Sequence, residues 1–396
     1  MSNYPFWTGS PIQINSSRLV RFLGEIGFGQ YQTSEGRTTN KSLIRITDKV
    51  IQLHDVNSMK KILVDHVQTD STLPETTKDT VLDKLVRMNP STLGTYSTSL
   101  PVWSQQGFEG SSVLKTMVDT ETTCYLPFKN GVVVIEKGDS SSIGELKSYD
   151  ILGDNYIWES SIIPHEITTD EGELINRPEN GIFSEFVKFA LQTDLEPNIE
   201  EHKPYQYKHF DNENIDETKR KKYLDAWNAF VTGYGYLIHN YNSPDDMKMV
   251  VFVDMESSST RAEGRNGKSL TMKTIEQYKK TTFIDGKSFR KSLNDSSRFN
   301  FSNVTVDTKL VIINDLNPDL DLTQLFSQIT DDFTIEGKGT NKIVIPREKK
   351  PKMSCNTNYV ISGSGASYDG RQHIVEFGNY WNKCERMRIK PKDILG

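Results

Sequence analysis

The run Gly264-Arg265-Asn266-Gly267-Lys268-Ser269 has the residue types that hold a phosphate chain. Glycines let backbone N–H groups curl around anionic oxygens. A lysine reaches the β and γ oxygens, and the hydroxyl after it can hold Mg²⁺. Gly267, Lys268 and Ser269 fit the end of such a loop. A helix beginning at Leu270 would add the positive end of its dipole. The full pattern places a glycine five residues before Gly267, and Ala262 stands there. Taken alone, the six residues also read as an ordinary polar turn.

A nucleotide hydrolase further needs a carboxylate at the tip of a neighbouring strand, to hold Mg²⁺ directly or through water. The apolar run Leu310–Ile313 ends in Asn314-Asp315, 47 residues after Lys268, and Asp315 suits that role. A second acid often stands beside it to orient the attacking water; here the neighbour is Asn314. Thr357-Asn358, beyond Met353, offers a polar side chain to position that water and read the γ-phosphate. Asp319 and Asp321 form a DxD, but ahead of Leu322 they read as helix-capping residues. The seven histidines show no metal-ligand spacing with Cys124, Cys355 and Cys384, which form neither a CxxC pair nor a disulfide framework. Gly363-Ser364-Gly365 reads as a loop before Arg371 rather than a dinucleotide site. Residues 1–165 contain no convincing set of paired acids of the kind a primase needs.

The elements that must position these residues can be read from periodicity. Lys248–Asp254 and Lys309–Asn314 are continuous apolar runs, as in strands buried on both faces. Lys352–Asn356 and His373–Phe377 are shorter strands. Leu270–Lys280 and Leu322–Thr330 read as helices, and Phe333–Ile345 as a hairpin with Gly337, Lys338 and Gly339 at its tip. Strands alternating with helices imply an α/β layer with a largely parallel sheet. Upstream, Asp216 begins a helix that runs to about Asn240, its end weakened by Gly233 and Gly235. Asp194–Asp216 reads as a polar loop. In the first 165 residues, Lys78–Met88 is helical and stops at Asn89-Pro90. Cys124–Lys137 is a hairpin around Asn130-Gly131, and Tyr156–Ile163 is a short strand.

With about 150 residues per domain, 396 residues imply two or three domains. Apolar residues at 35 % and charged residues at 25 % exclude a wholly disordered or collagenous chain. No apolar run approaches the roughly 20 residues that span a bilayer. MSNYPFWTGS carries no basic-then-apolar leader. With unpaired cysteines, this predicts a soluble protein of the cytoplasm, the host's if the source is viral, with no membrane partner. The net charge of −6 argues against uniform coating of nucleic acid. Its distribution is uneven. Residues 335–396 carry twelve Lys/Arg against six Asp/Glu, and the first 334 carry 35 against 47. That fits local contact with a polyanion, or a solvated basic face.

Four motifs in order justify a family comparison. Residues 246–380 resemble the superfamily 3 helicases, a branch of the AAA+ ATPases, and most of all the helicase portion of phage, mobile-element and poxvirus-type primase-helicases. AEGRNGKSL (262–270) is similar to their phosphate loop and KLVIIND (309–315) to their acidic strand end. DDFTIEGKGTNKIVIP (331–346) looks like the DNA-gripping hairpin, KPKMSCNTNYV (350–360) like the sensor strand, and DGRQHIVEF (369–377) like the arginine-finger segment. Weaker likeness continues upstream in YLPFKNGVVVI and YIWESSIIPHEI. The resemblance implies that Gly264, Arg265, Asn266, Gly267, Lys268, Ser269 and Leu270 bind ATP. It implies that Ser269 and Asp315 hold Mg²⁺, and that Lys268, Asp315, Asn358 and Arg371 carry hydrolysis. Asn358 would be the sensor, and Arg371 would serve the γ-phosphate of a neighbouring subunit. Lys338 and Lys342 would contact single-stranded DNA.

The fold expected is α/β: an AAA+ P-loop ATPase domain with a largely parallel sheet at 246–396. A helical collar or linker at 166–245 and an α+β domain of uncertain role at 1–165 precede it. The function expected is an ATP-dependent replicative DNA helicase, a homo-oligomeric ring taken to be a hexamer, with a primase or polymerase as a further partner. Two alternatives stay open: a loader or remodelling ATPase, and an ATP-binding scaffold that does not unwind DNA.

Overall fold

The structure, a computed structural model, describes residues 6–33, 41–138, 144–170, 173–174, 181–192, 195–200, 216–255, 264–289, 299–317, 320, 322–338, 342–359 and 365–395. Ala262, Asp319, Asp321, Gly339, Gly363 and Ser364 lie outside the described residues, as does most of the loop expected at 194–216. The chain forms two compact units. The first is Met1–Met117 with Leu152–Ser160 and Thr340–Val344; the second is Val118–Ile151, Ser161–Gly339 and Ile345–Gly396.

The first unit is a mixed sheet with helices. Its strands lie in the order Ile157–Trp158, Val50–Leu53, Lys41–Thr47, Phe28–Gln32, Val102–Ser104, Ser112–Val113. Helices Ser16–Glu25, Val56–Thr69, Glu75–Arg87 and Pro90–Ser97 supply Leu19, Leu23, Met59, Leu63, Val81, Leu85 and Leu93 to a buried apolar core with Phe28. A capping box starts the second of these helices: Asp55 accepts from the Ser58 N–H, and Ser58 Oγ accepts from the Asp55 N–H. The strand expected over Tyr156–Ile163 is only Ile157–Trp158, because Glu159–Ser161 turns into a 3₁₀ helix.

The second unit holds the long apolar runs. Strands β1 (Met249–Asp254), β2 (Thr281–Asp285), β3 (Leu310–Asn314), β4 (Lys352–Asn356) and β5 (Gln372–Phe377) form one sheet in the order β2-β3-β4-β1-β5, with every pairing parallel. β1 is buried at every residue, as its unalternating apolar sequence requires, and the central β4 is buried throughout despite Lys352, Ser354 and Asn356. Helices α1 (Ile182–Ala190), α2 (Glu217–Ile238), α3 (Lys268–Lys273) and α4 (Tyr380–Arg386) pack with the sheet. Phe186, Phe189, Phe230, Met272, Tyr380 and Trp381 share one core with Val250, Phe252, Ile312, Val375 and Phe377. The expected hairpin forms as Thr123–Phe128/Gly131–Glu136, but Phe128 faces Gly131, so Lys129 and Asn130 make the turn and Gly131 begins the second strand.

α2 starts where expected, its first turn capped by Asp216, which accepts from the Lys219 N–H. It does not weaken at its glycines. A Cβ on Gly233 would stand 2.7 Å from the His373 ring, so glycine there admits β5 against the helix, and the packing outweighs helix propensity. The α2 C-terminus is closed by two lysines. Lys279 Nζ donates to the carbonyls of Leu237 (2.6 Å) and His239 (3.3 Å). Lys352 Nζ donates to the Tyr236 carbonyl (2.6 Å) and meets the His239 ring at 3.1 Å. Burial pushes Lys279 down to about 7 and Lys352 down to about 6, with the neighbouring ammonium adding to the shift at Lys352.

The helix expected over 270–280 is shorter and earlier: α3 begins at Lys268, and a 3₁₀ turn replaces it from Thr274 to Gln277. Leu322–Thr330 likewise divides into a 3₁₀ turn and a short helix from Phe326. Both strands of the expected hairpin form, at Phe333–Ile335 and Ile343–Ile345. Among the described residues no helix is long and apolar enough to cross a membrane.

Candidate functional site

In a parallel sheet, loops leaving the carboxyl ends of the strands converge at one edge, and ligands bind there. β1, β3 and β4 deliver Asp254, Asn314 and Asn356 to that edge. Phe252 pairs with Asn356, and Ile313 pairs with Cys355, which sets Asn314 beside Asn356. The glycine loop follows β1 and enters α3 at Lys268.

The loop is tightly curled. Gly264, Arg265 and Gly267 all have positive φ, at 60°, 60° and 95°. Gly267 has a second reason to lack a side chain, since a Cβ there would stand 2.7 Å from the Phe186 ring. Phe186 stacks on Trp381 at 5.0 Å, so aromatic side chains from α1 and α4 buttress the loop from behind. Asn382 Nδ2 donates to the Gly264 carbonyl at 3.0 Å, and Arg265 pairs with Glu385 at 2.5 Å. Leu270, on the first turn of α3, is exposed.

Inside this curl sits a carboxylate. Asp254, the last residue of β1, accepts from Lys268 Nζ, from Asn266 Nδ2 at 2.7 Å and from the Gly264 N–H at 3.2 Å. Asp254, Asn266 and Lys268 are all buried. Burial lowers the Lys268 pKa, and the charge of Asp254 opposes that shift.

Ser269 belongs to a second set of contacts. Its hydroxyl donates to Asn314 Oδ1 at 3.1 Å and accepts from Asn356 Nδ2 at 2.6 Å. Asn356 Nδ2 also donates to Asn314 Oδ1 at 3.2 Å, and its Oδ1 accepts from the Asp315 N–H at 2.6 Å. Asp315 lies one residue past β3 with φ of 59°, and its carboxylate turns towards Lys287 Nζ at 3.0 Å and Asn358 Nδ2 at 3.5 Å. The hydrogen bond and charge of Asp315 raise the Lys287 pKa. Asn358 also borders the loop: its amide lies 3.8 Å from where a Cβ on Gly264 would stand.

The structure therefore brings together Gly264, Lys268, Ser269, Asp315 and Asn358. Sequence reasoning missed Asp254, Asn356 and Lys287. Asn356 carried a usable signal, since it ends the strand read at Lys352–Asn356 as Asn314 ends the run at Lys309–Asn314. Arg371 is not part of this cluster. It precedes β5, at the edge where the strands begin, whereas the loop leaves the edge where they end. Its Nη1 donates to the Ser367 carbonyl at 3.1 Å and its guanidinium covers the Phe326 ring at 4.9 Å. Lys338 and Lys342 are both exposed.

Among the described residues no group of three or more His, Cys, Asp or Glu could hold a metal ion by itself. Ser269 and Asn314 present neighbouring oxygens, while the Asp315 carboxylate is directed to Lys287 and Asn358.

No family model and no curated protein matches the chain. Among solved structures, the apo form of the NrS-1 C-terminal region (305–718) matches with a TM-score of 0.39 at 11 % identity, over 91 % of this chain and 62 % of that one. A second apo structure of that region gives a TM-score of 0.36 over the same shares, and a third gives 0.34 at 10 % identity over 95 % and 70 %. This chain thus spans less than two thirds of the length of the first two structures it matches.

Proposed function

We propose that the second unit is an AAA+ ATPase of the superfamily 3 helicase type, driving movement along single-stranded DNA in a replication complex. One observation carries this reading. Lys268 and Ser269 converge with Asn314, Asp315 and Asn358 at the carboxyl edge of a parallel sheet in which β4 lies between β1 and β3. In that arrangement Lys268 meets the β- and γ-phosphates of ATP, and the loop N–H groups surround them. Mg²⁺ bound by Ser269 and Asp315 would neutralise charge on the phosphates. Asn358 faces the space beyond Gly264 and orients the attacking water. Arg371 supplies positive charge to the site of the next subunit of a ring, which makes hydrolysis depend on assembly. Lys338 and Lys342 hold the DNA backbone without reading sequence.

The test is Mg²⁺-dependent ATP hydrolysis with and without single-stranded DNA, across protein concentrations. Turnover that rises with protein concentration and with DNA, and that disappears in Lys268→Ala and Arg371→Ala, is expected. Turnover raised only by a partner protein would instead identify a loader. A second reading has its own support. Ser269 faces the amide of Asn314 rather than a carboxylate, which favours an ATP-binding scaffold. ATP binding without turnover under every condition would select it.

A further inference from the structure

The donors that a phosphate would need are already engaged by the chain itself. The Gly264 N–H, Asn266 Nδ2 and Lys268 Nζ converge on the Asp254 carboxylate. Asp254 and Lys268 are 3 % and 4 % exposed, so water does not share this contact. A carboxylate and a phosphate oxygen are both anionic acceptors, and a charge-assisted bond made out of water is strong for either.

We propose that Asp254 is an internal competitor for the nucleotide's phosphate: its carboxylate fills the anion seat of the ligand-free loop, and a nucleoside triphosphate binds by drawing Lys268 away from it. The proposal rests on the reading of residues 264–269 as a phosphate loop and adds a residue that sets the affinity of that loop. A buried ion pair that persists beside a bound nucleotide is the alternative. The two differ in sign. If Asp254 competes, neutralising it strengthens binding. If it only holds Lys268 in place, neutralising it weakens binding.

The experiment titrates the full chain with a fluorescent ADP analogue, and with unlabelled ATP and inorganic triphosphate as competitors, at fixed Mg²⁺ and pH. Wild type, Asp254→Asn and Asp254→Ser are compared. Binding tighter by about tenfold or more in both variants is expected, with the gain removed by Lys268→Ala in the Asp254→Asn background. Wild-type binding with equal or weaker binding in both variants would overturn the proposal and leave the phosphate loop intact. No binding by any form would overturn the phosphate-loop reading itself, and the proposal with it. If the variants do not fold, a structure of the wild-type chain with ADP decides. Lys268 Nζ beyond hydrogen-bond distance of Asp254 supports competition; an unbroken contact refutes it.

Discussion

At the scale of single residues, the site is two interlocked sets of side chains. One is the ion pair of Lys268 with Asp254; the other is the amide and hydroxyl set of Ser269, Asn314 and Asn356. Removing one partner of a buried pair strands the other. Lys268→Met is therefore expected to lower stability by about 3–5 kcal/mol, and Asp254→Leu combined with it to restore most of that; urea unfolding measures both. Loss of turnover in any Lys268 variant must be read beside its unfolding midpoint. Asn314→Asp places a carboxylate against the Ser269 hydroxyl. It is expected to lower the Mg²⁺ concentration needed for half-maximal turnover by about tenfold or more, measured as ATP hydrolysis against Mg²⁺. Lys268, Ser269 and Asp315 were legible in the sequence because local spacing encodes them. Asp254 was not. It reads as the last residue of an apolar strand, and its partners come from a loop whose curl, with three positive φ values, no periodicity shows. Asn356 was placed correctly at the end of its strand but passed over for Asn358, since only the structure shows its amide bonded to Ser269 and Asn314.

At the scale of elements, burial decided more than propensity did. β1 and β3 were plain from their apolar runs, and the cap at Asp216 located the start of α2. The end of α2 at Ile238 lies close to the expected Asn240, but periodicity did not show its closure by Lys279 and Lys352, distant in sequence. That closure makes stability depend on pH. Unfolded lysines hold their proton to about pH 10, whereas the folded values are about 7 for Lys279 and about 6 for Lys352. Between these limits the unfolded chain binds more protons, so stability rises with pH. Buried thiols act in the opposite sense at higher pH. Cys124 and Cys355 are pushed up to about 12, while unfolded thiols ionise near 8.5. From pH 7 to about 8.5 the thermal midpoint is therefore expected to climb by roughly 2–4 °C per pH unit for each lysine. Lys352→Met is expected to flatten the climb, and scanning calorimetry at stepped pH would read it.

At the scale of the whole molecule, the chain places its candidate catalytic groups at opposite edges of one sheet. Lys268 follows the end of β1 and Arg371 precedes the start of β5, a strand paired along the whole of β1. A six-residue strand separates them by about 20 Å. If Arg371 assists hydrolysis, it does so in another copy. Lys268→Ala and Arg371→Ala proteins, each inactive alone, are then expected to recover turnover when mixed, since some interfaces combine an intact lysine with an intact arginine. Mixtures as inactive as their parts would remove Arg371 from the mechanism.

The order of the strands also governs how the protein can be made. β1 is the first strand of its sheet to leave the ribosome, yet its two neighbours, β4 and β5, begin at Lys352 and Gln372. At about 5–20 residues per second, this strand waits on the order of ten seconds for a partner on either side. During that interval MVVFVD is an apolar ribbon with both edges open, the kind of segment that chaperones shield and that otherwise aggregates. Nascent chains cut short before β4 would carry the entire glycine loop on a strand with no partner, β2 and β3 pairing only with each other, so the ability to grip a phosphate arrives only with β4 and β5.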